Sequence, residues 1–126
     1  MLGILKRLFG RRKTAEFMLA KEGVTEKQLT RFGKVSFDIN VNNSNRECIQ
    51  QLSNIEGLEI SQGPSQLLGG ETLSCISSVI TIIQALIIIE KWLGDRISVT
   101  ISSNGEKIRL KVNDAIMYLI KKVKQS

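Results

Sequence analysis

The sequence contains no histidine, one proline, one tryptophan and one tyrosine, and its two cysteines, Cys48 and Cys75, do not form a CxxC motif. Without histidine there is no imidazole to act as a base, to activate a serine or cysteine nucleophile, or to complete the usual zinc ligand sets. The acidic residues are dispersed, and no pair stands out as a general acid and base. The sequence therefore predicts a protein that is not an enzyme, with no metal and no cofactor.

Both cysteines lie among apolar neighbours, as reduced structural thiols do in cytosolic proteins. At 126 residues the chain is long enough for one domain plus an extension and can bury a core without disulfide staples. We expect a cytoplasmic protein, and the basic N-terminus leaves open a peripheral attachment to the inner face of the membrane.

The net charge of +6 is unevenly distributed. Residues 1–34 carry nine basic and three acidic side chains, residues 35–94 carry two and six, and residues 95–126 carry seven and three. The basic ends permit contact with an anionic surface, either membrane or nucleic acid, although a solvated charged face is the more common meaning of such a pattern.

A short cationic amphipathic segment opens the chain, MLGILKRLFGRRK. Its basic residues are predicted to contact an anionic surface, and they are Lys6, Arg7, Arg11, Arg12 and Lys13. Its apolar residues, Leu5, Leu8 and Phe9, would insert into lipid or dock on protein, and both outcomes stay open. Two short helical pieces follow, the second opened by a capping box of Thr25 and Gln28, so residues 1–33 are predicted as a basic helical extension.

An uncharged segment of seventeen residues extends from Leu73 to Ile89 and is followed by Glu90 and, at the end of the pattern, Gly94. Its length favours one buried apolar helix, with Gly94 as the stop. A membrane span is the second interpretation, because the run just reaches the thickness of a thin bilayer. One or two strands are the third, because isoleucine and valine favour strands.

On the helical interpretation, small and polar side chains fall on one stripe of this run. Within that stripe we predict a seam for helix–helix association, made by Ser77, Ser78, Thr81 and Gln84. The rest of the circumference is apolar, so the helix would need cover on most sides.

Alternation of apolar and polar residues marks strands on either side of this run. Residues 35–41 alternate strictly, a helix follows up to Gly57, and residues 58–61 form a second short strand, which implies a parallel pair with a right-handed crossover. Residues 97–112 form a hairpin that turns at Asn104 and Gly105, and Asn113 is predicted to cap a last helix. The predicted fold of residues 34–126 is α+β, a two-layer sandwich with a four-stranded mixed sheet, helices on one face and the long apolar helix.

The other face of that sheet is predicted to be polar, with Asp38, Asn40, Ser98, Thr100, Lys107, Arg109 and Lys111. A basic four-stranded face can carry RNA, but aromatic residues that would stack on bases are missing from this set. Nucleic acid is therefore the less favoured partner.

From Lys34 onward the chain resembles the effector-associated constant component domains of bacterial conflict systems. The residues that carry the resemblance are the alternating strand, the second strand closing on Gly63 and Pro64, the apolar helix ending in KWLGDR, and the hairpin from Ile97 to Val112. The resemblance implies an adaptor that couples an effector to a sensor or a membrane in antiviral defence, and it implies no active site. The basic segment of residues 1–33 lies outside the family pattern.

Taken together, the sequence predicts a non-catalytic interaction or adaptor module that self-associates as a homo-oligomer and binds a protein partner, an effector or a sensor. A small membrane protein in which residues 73–89 span the bilayer is the alternative, and a basic nucleic-acid-binding module comes after it.

Overall fold

The computed structural model describes residues 14–41, 45–64 and 71–126. Within these ranges residues 14–21 form helix α1, and the later elements follow in the order α2 (Glu26–Phe32), β1 (Lys34–Val41), α3 (Arg46–Ser53), β2 (Glu59–Pro64), β3 (Glu71–Ser78), α4 (Val79–Leu93), β4 (Ser98–Ser103), β5 (Glu106–Lys111) and α5 (Val112–Gln125). The fold is α+β, as the sequence predicts.

The described strands form one five-stranded sheet in the order β2-β3-β1-β4-β5, and every neighbouring pair is antiparallel. The prediction of a four-stranded mixed sheet is therefore wrong in strand number and in direction. The parallel pair of β1 and β2 does not form, because β3 lies between these two strands and pairs with both of them.

The additional strand comes from the long uncharged run, which is not a single helix. Residues 71–78 form β3, and α4 starts at the next residue, Val79. Leu73, Cys75 and Ser77 face the buried side of the sheet, whereas Ser74 and Ile76 face the other side, so the segment has the two-residue period of a strand. The strand interpretation holds for the first part of the run and the helix interpretation for the rest.

The core lies on the side of the sheet that packs against α4 and α5. Its central side chains come from the inward positions of the strands, such as Phe37 and Ile101, and from the buried faces of the two helices. Helix α4 buries most of its circumference because it contacts β1, β3, α3 and α5. This burial explains an apolar content that would otherwise suit a lipid environment.

Several local signals in the sequence are confirmed. The capping box of Thr25 and Gln28 forms at the start of α2. Helix α4 stops at Gly94, whose backbone N–H donates to the Glu90 carbonyl at 2.9 Å. The β4–β5 turn places Asn104 and Gly105 at φ values of 49° and 82°, the left-handed region that a tight hairpin needs.

The predicted cap of the last helix is wrong. Helix α5 starts directly after β5 at Val112, and Lys111 occupies the N-cap position without a side-chain hydrogen bond. The side chain of Asn113 instead accepts a hydrogen bond from the Asp114 backbone N–H at 3.0 Å.

Part of the predicted N-terminal extension packs on the same core as the strands. Ala15, Leu19 and Phe32 are each at most 5% exposed and belong to the core cluster. Helix α2 contacts α4 and α5, and Gln28 donates to the carbonyl oxygen of Lys124 at 3.2 Å. The division of the chain at residues 33 and 34 stays a prediction.

A membrane-spanning helix is not found in the described ranges, since none of their helices combines the length and the apolar character that a bilayer crossing requires.

Candidate functional site

The side of the sheet opposite the core is lined by polar and charged side chains, and we call it the polar face. Strand register aligns these side chains in rows, because residues opposite each other in an antiparallel pair point to the same side. One row reads Glu59, Ile76, Ser36, Ser102 and Lys107, and the next reads Ser61, Ser74, Asp38, Thr100 and Arg109. Both rows end in a cation on β5, and each contains one carboxylate, Glu59 on β2 in the first and Asp38 on β1 in the second.

Two adjoining depressions of about 360 Å³ each lie on the polar face. They share Ser36 and Ile76, which therefore separate one from the other. The first depression extends to Lys34 and Lys107, and the second extends to Asp38 and Glu59, with the serine hydroxyls of both rows along the walls. The pair offers hydrogen-bonding groups, two lysines with Glu106 at one end, two carboxylates at the other, and the exposed aliphatic side chain of Ile76 in the middle.

Ile76 is the large aliphatic residue of this surface, and 41% of it is exposed. A single exposed isoleucine is ordinary on a protein surface. What distinguishes Ile76 is its position on the ridge between two depressions, where a partner could contact it from both sides. An apolar centre within a polar rim is the arrangement found in protein–protein contact surfaces.

A charged cluster fixes the cationic end of the polar face to helix α5. Lys122 Nζ lies 3.0 Å from Glu106 Oε2, and the Tyr118 hydroxyl donates to the same oxygen at 3.2 Å. Lys122 Nζ also lies 5.6 Å from the centroid of the Tyr118 ring. The hydrogen bond and the positive charge of Lys122 lower the pKa of the Glu106 carboxyl, and the same hydrogen bond and carboxylate charge raise the pKa of Lys122.

The two cysteines are buried and free, and neither is a reactive nucleophile. Burial raises the pKa of Cys48 from 9.0 to about 11. Burial, and after it the negative charge of Asp38, raise the pKa of Cys75 to about 12. Since the thiolate is the nucleophilic and metal-binding form, both side chains act as small apolar core residues.

The predicted helix–helix seam does not form one face. Ser77 and Ser78 belong to β3, whereas Thr81 and Gln84 belong to α4. Ser77 points inward and donates to the carbonyl oxygen of Gly57 at 2.8 Å, and the hydroxyls of Ser78 and Thr81 lie 3.2 Å apart. The stripe was inferred from a helical period that does not apply before Val79, so its premise is wrong.

The predicted anionic-surface contacts, Lys6, Arg7, Arg11, Arg12 and Lys13, lie outside the described residues, and so do the apolar docking residues Leu5, Leu8 and Phe9. Metal ligands were not predicted, and the described ranges hold no group of three or more histidine, cysteine or acidic residues placed to share an ion.

Sequence reasoning missed the part of the polar face that two of the five strands contribute. It identified the contributions of β1, β4 and β5 but not those of β2 and β3, namely Glu59, Ser61, Ser74 and Ile76. A signal was present, because Leu73, Cys75 and Ser77 alternate with Ser74, Ile76 and Ser78. The isoleucine at an outward position broke the apolar–polar alternation and hid the strand.

No family model matches the chain, and no curated protein sequence matches it. Among solved structures the fold is similar to that of a phage SAM lyase in the apo state, with a TM-score of 0.37 and 9% sequence identity. That comparison covers 62% of this chain and 87% of the other.

The prediction that this chain is not an enzyme is contradicted by this neighbour, which is itself an enzyme. At a TM-score of 0.37 the likeness carries no argument about an active site or a reaction in this chain.

Proposed function

We propose that this chain is an interaction module that docks a protein partner on its polar face and that also self-associates. The observation that carries the proposal is Ile76, a half-exposed aliphatic side chain shared by two depressions whose walls are otherwise mostly polar and charged, apart from Val35 and Ile60. A partner that covered the polar face would bury an apolar centre and find hydrogen bonds around it.

In this proposal the chain works as a two-layer sandwich in the cytoplasm, with its helices on one side of the sheet and the polar face free for the partner. The resemblance from Lys34 onward supports an effector or sensor of a bacterial conflict system as that partner. The basic residues before Thr14 would add a peripheral contact with an anionic membrane.

The test uses a photo-crosslinking amino acid incorporated at a single position of the chain expressed in its natural host. Incorporation at Ile76 is expected to give discrete crosslinked products after irradiation, and mass spectrometry of these products would identify the partner. A crosslink to a second copy of the same chain would report self-association through this face.

Met117 provides the matched control. It is also a large exposed apolar residue, with 54% of its surface accessible, but it lies on α5 away from the polar face. Products seen at position 76 and missing at position 117 support the proposal. The same products at both positions, or none at position 76, would contradict it.

A further inference from the structure

The two edges of the sheet differ in charge, and this difference determines where another strand can be added. An edge strand presents unpaired backbone N–H and C=O groups, and proteins commonly protect such an edge with lysine or arginine. Strand β5 carries Lys107, Arg109 and Lys111, all exposed. Strand β2 carries one charged residue, Glu59, at its first position, and its proline, Pro64, is at the last position, outside the segment from Glu59 to Gly63.

Pairing of two β5 strands is disfavoured by this distribution. An antiparallel pair centred on Arg109 would place arginine opposite arginine, and Lys107 of each copy opposite Lys111 of the other. Like charges directly opposite each other destabilise a strand pair. The β5 edge is therefore protected against a second copy.

Pairing of two β2 strands meets no such obstacle. In an antiparallel pair centred on Ser61, serine faces serine, Ile60 faces Gln62, and Glu59 faces Gly63. The two carboxylates lie at opposite ends of the pair, and each faces a residue without a side chain. Within the described ranges no other strand pairs along this edge, since β2 is the terminal strand of the sheet.

We propose that the chain forms a homodimer by antiparallel pairing of its β2 edges about Ser61. This inference rests on the self-association in the proposed function and identifies the surface that mediates it. The two-fold axis is perpendicular to the sheet, so the dimer has one continuous ten-stranded sheet. The polar faces of the two copies lie on the same side of this sheet. The second depression of each copy, which is lined by Glu59 and Ser61, adjoins its counterpart at the axis.

The geometry permits a direct crosslinking test. Residues opposite each other in an antiparallel pair have Cβ atoms roughly 4.5–5.5 Å apart, which is close enough for two cysteines to form a disulfide after a small adjustment. Ser61→Cys is expected to give a disulfide-linked dimer of two 14.1 kDa chains under mild oxidation. The native thiols are buried with raised pKa values and give little background.

Arg109→Cys is the matched control, because Arg109 occupies the centre of the other edge and the same row of the polar face. It is expected to form disulfide dimers at least tenfold more slowly than Ser61→Cys. Equal rates would indicate random collisions and would overturn the proposal.

A second, non-covalent test introduces a positive charge at the centre of the β2 edge. Ser61→Lys places two cations opposite each other at the centre of the pair and is expected to weaken dimerisation at least tenfold in sedimentation equilibrium. Thr100→Lys lies in the same row on the interior strand β4 and should leave the dimer intact. Circular dichroism of both variants would verify that they are folded.

The remaining outcomes each overturn the β2 pairing and differ in what they mean for the proposed function. If the Ser61→Lys variant is still a dimer, the chain self-associates through another surface, and that part of the proposed function is retained. A mass that grows continuously with concentration would indicate β2-to-β5 pairing into open polymers. A monomeric native chain that still crosslinks to a different protein at position 76 would preserve the docking function alone.

Discussion

Ser77 shows how one side chain of β3 ties a neighbouring turn to the sheet. Ser77 is 7% exposed, and its hydroxyl donates to the carbonyl oxygen of Gly57, which precedes β2. Ser77→Ala would leave that carbonyl without its side-chain donor, and we expect a loss of about 1 kcal/mol in the free energy of unfolding. Urea denaturation measures this change.

Ser74→Ala is the control for that measurement, because Ser74 lies on the same strand but on the polar face. Its effect should stay within about 0.5 kcal/mol, as for most substitutions away from buried polar contacts. Equal losses in the two variants would show that the serine-to-alanine change in a strand, and not the bond to Gly57, determines the result.

Among the elements, β5 and α5 are joined by the Glu106–Lys122 pair. Lys122→Met removes the hydrogen bond and the charge that lower the pKa of Glu106, so this pKa should rise toward its ordinary value of 4.5. Carboxyl-carbon NMR titration measures the shift, and Lys121→Met, which changes the adjacent exposed lysine, should leave it in place. An unchanged pKa in Lys122→Met would mean that the pair does not form in solution.

The directions of the pKa shifts of Glu106 and Lys122 determine how the contribution of this pair to stability depends on pH. The Glu106 carboxyl has a lowered pKa in the folded protein, so its contribution is present above its unfolded pKa and is lost as pH falls through the folded pKa. Lys122 has a raised pKa, so its contribution is present below pH 10.5 and is lost as pH rises through the folded pKa.

Sequence patterns predicted the elements that depend on local signals and missed those that depend on pairing. The β4–β5 hairpin follows from alternation and from Asn104 and Gly105, and the end of α4 follows from Gly94. Residues 71–78 carry only a weak local strand signal, because the outward Ile76 interrupts the apolar–polar alternation and the uncharged run that follows Glu71 fits a buried helix as well as a strand. The extended conformation depends on the pairing of β3 with β2 on one side and with β1 on the other, and β1 is separated from β3 in the sequence by α3 and β2.

The candidate site was predictable from the sequence only where it depends on local signals. The polar residues of β1, β4 and β5 were predictable because each strand alternates clearly. The ridge at Ile76 was not, because its position depends on β3 entering the sheet between β1 and β2. The predicted parallel crossover placed β2 next to β1 and left no room for this ridge.

For the whole molecule, the two buried thiols make the free energy of unfolding depend on pH in the alkaline range. An unfolded chain releases the protons of Cys48 and Cys75 near pH 9, whereas the folded chain holds them to about pH 11 and about pH 12. The unfolded state binds fewer protons in that interval, so the free energy of unfolding should decrease as pH rises from about 9 to about 11. Below pH 9 this contribution to stability is fully present.

Urea midpoints at pH 7.5 and pH 10.5 would measure the decrease. The double variant Cys48→Ala with Cys75→Ala is the control, because it removes both thiols and leaves every other side chain in place. It should be less stable at pH 7.5, owing to the cavities left by the two side chains, but should lose less stability between the two pH values. An identical loss in both proteins would contradict the burial of the thiols.

The direct passage from β3 into α4 also constrains how this chain can vary in evolution. Strand and helix meet at Ser78 and Val79 with no connecting loop. One inserted or deleted residue within β3 would turn the β3 side chains that precede it to the opposite face, and one within α4 would rotate the rest of the helix by about 100° around its axis. Residues 71–93 therefore form a block in which gaps are excluded, and an ungapped stretch of this length is the feature by which distant relatives of the chain could be aligned.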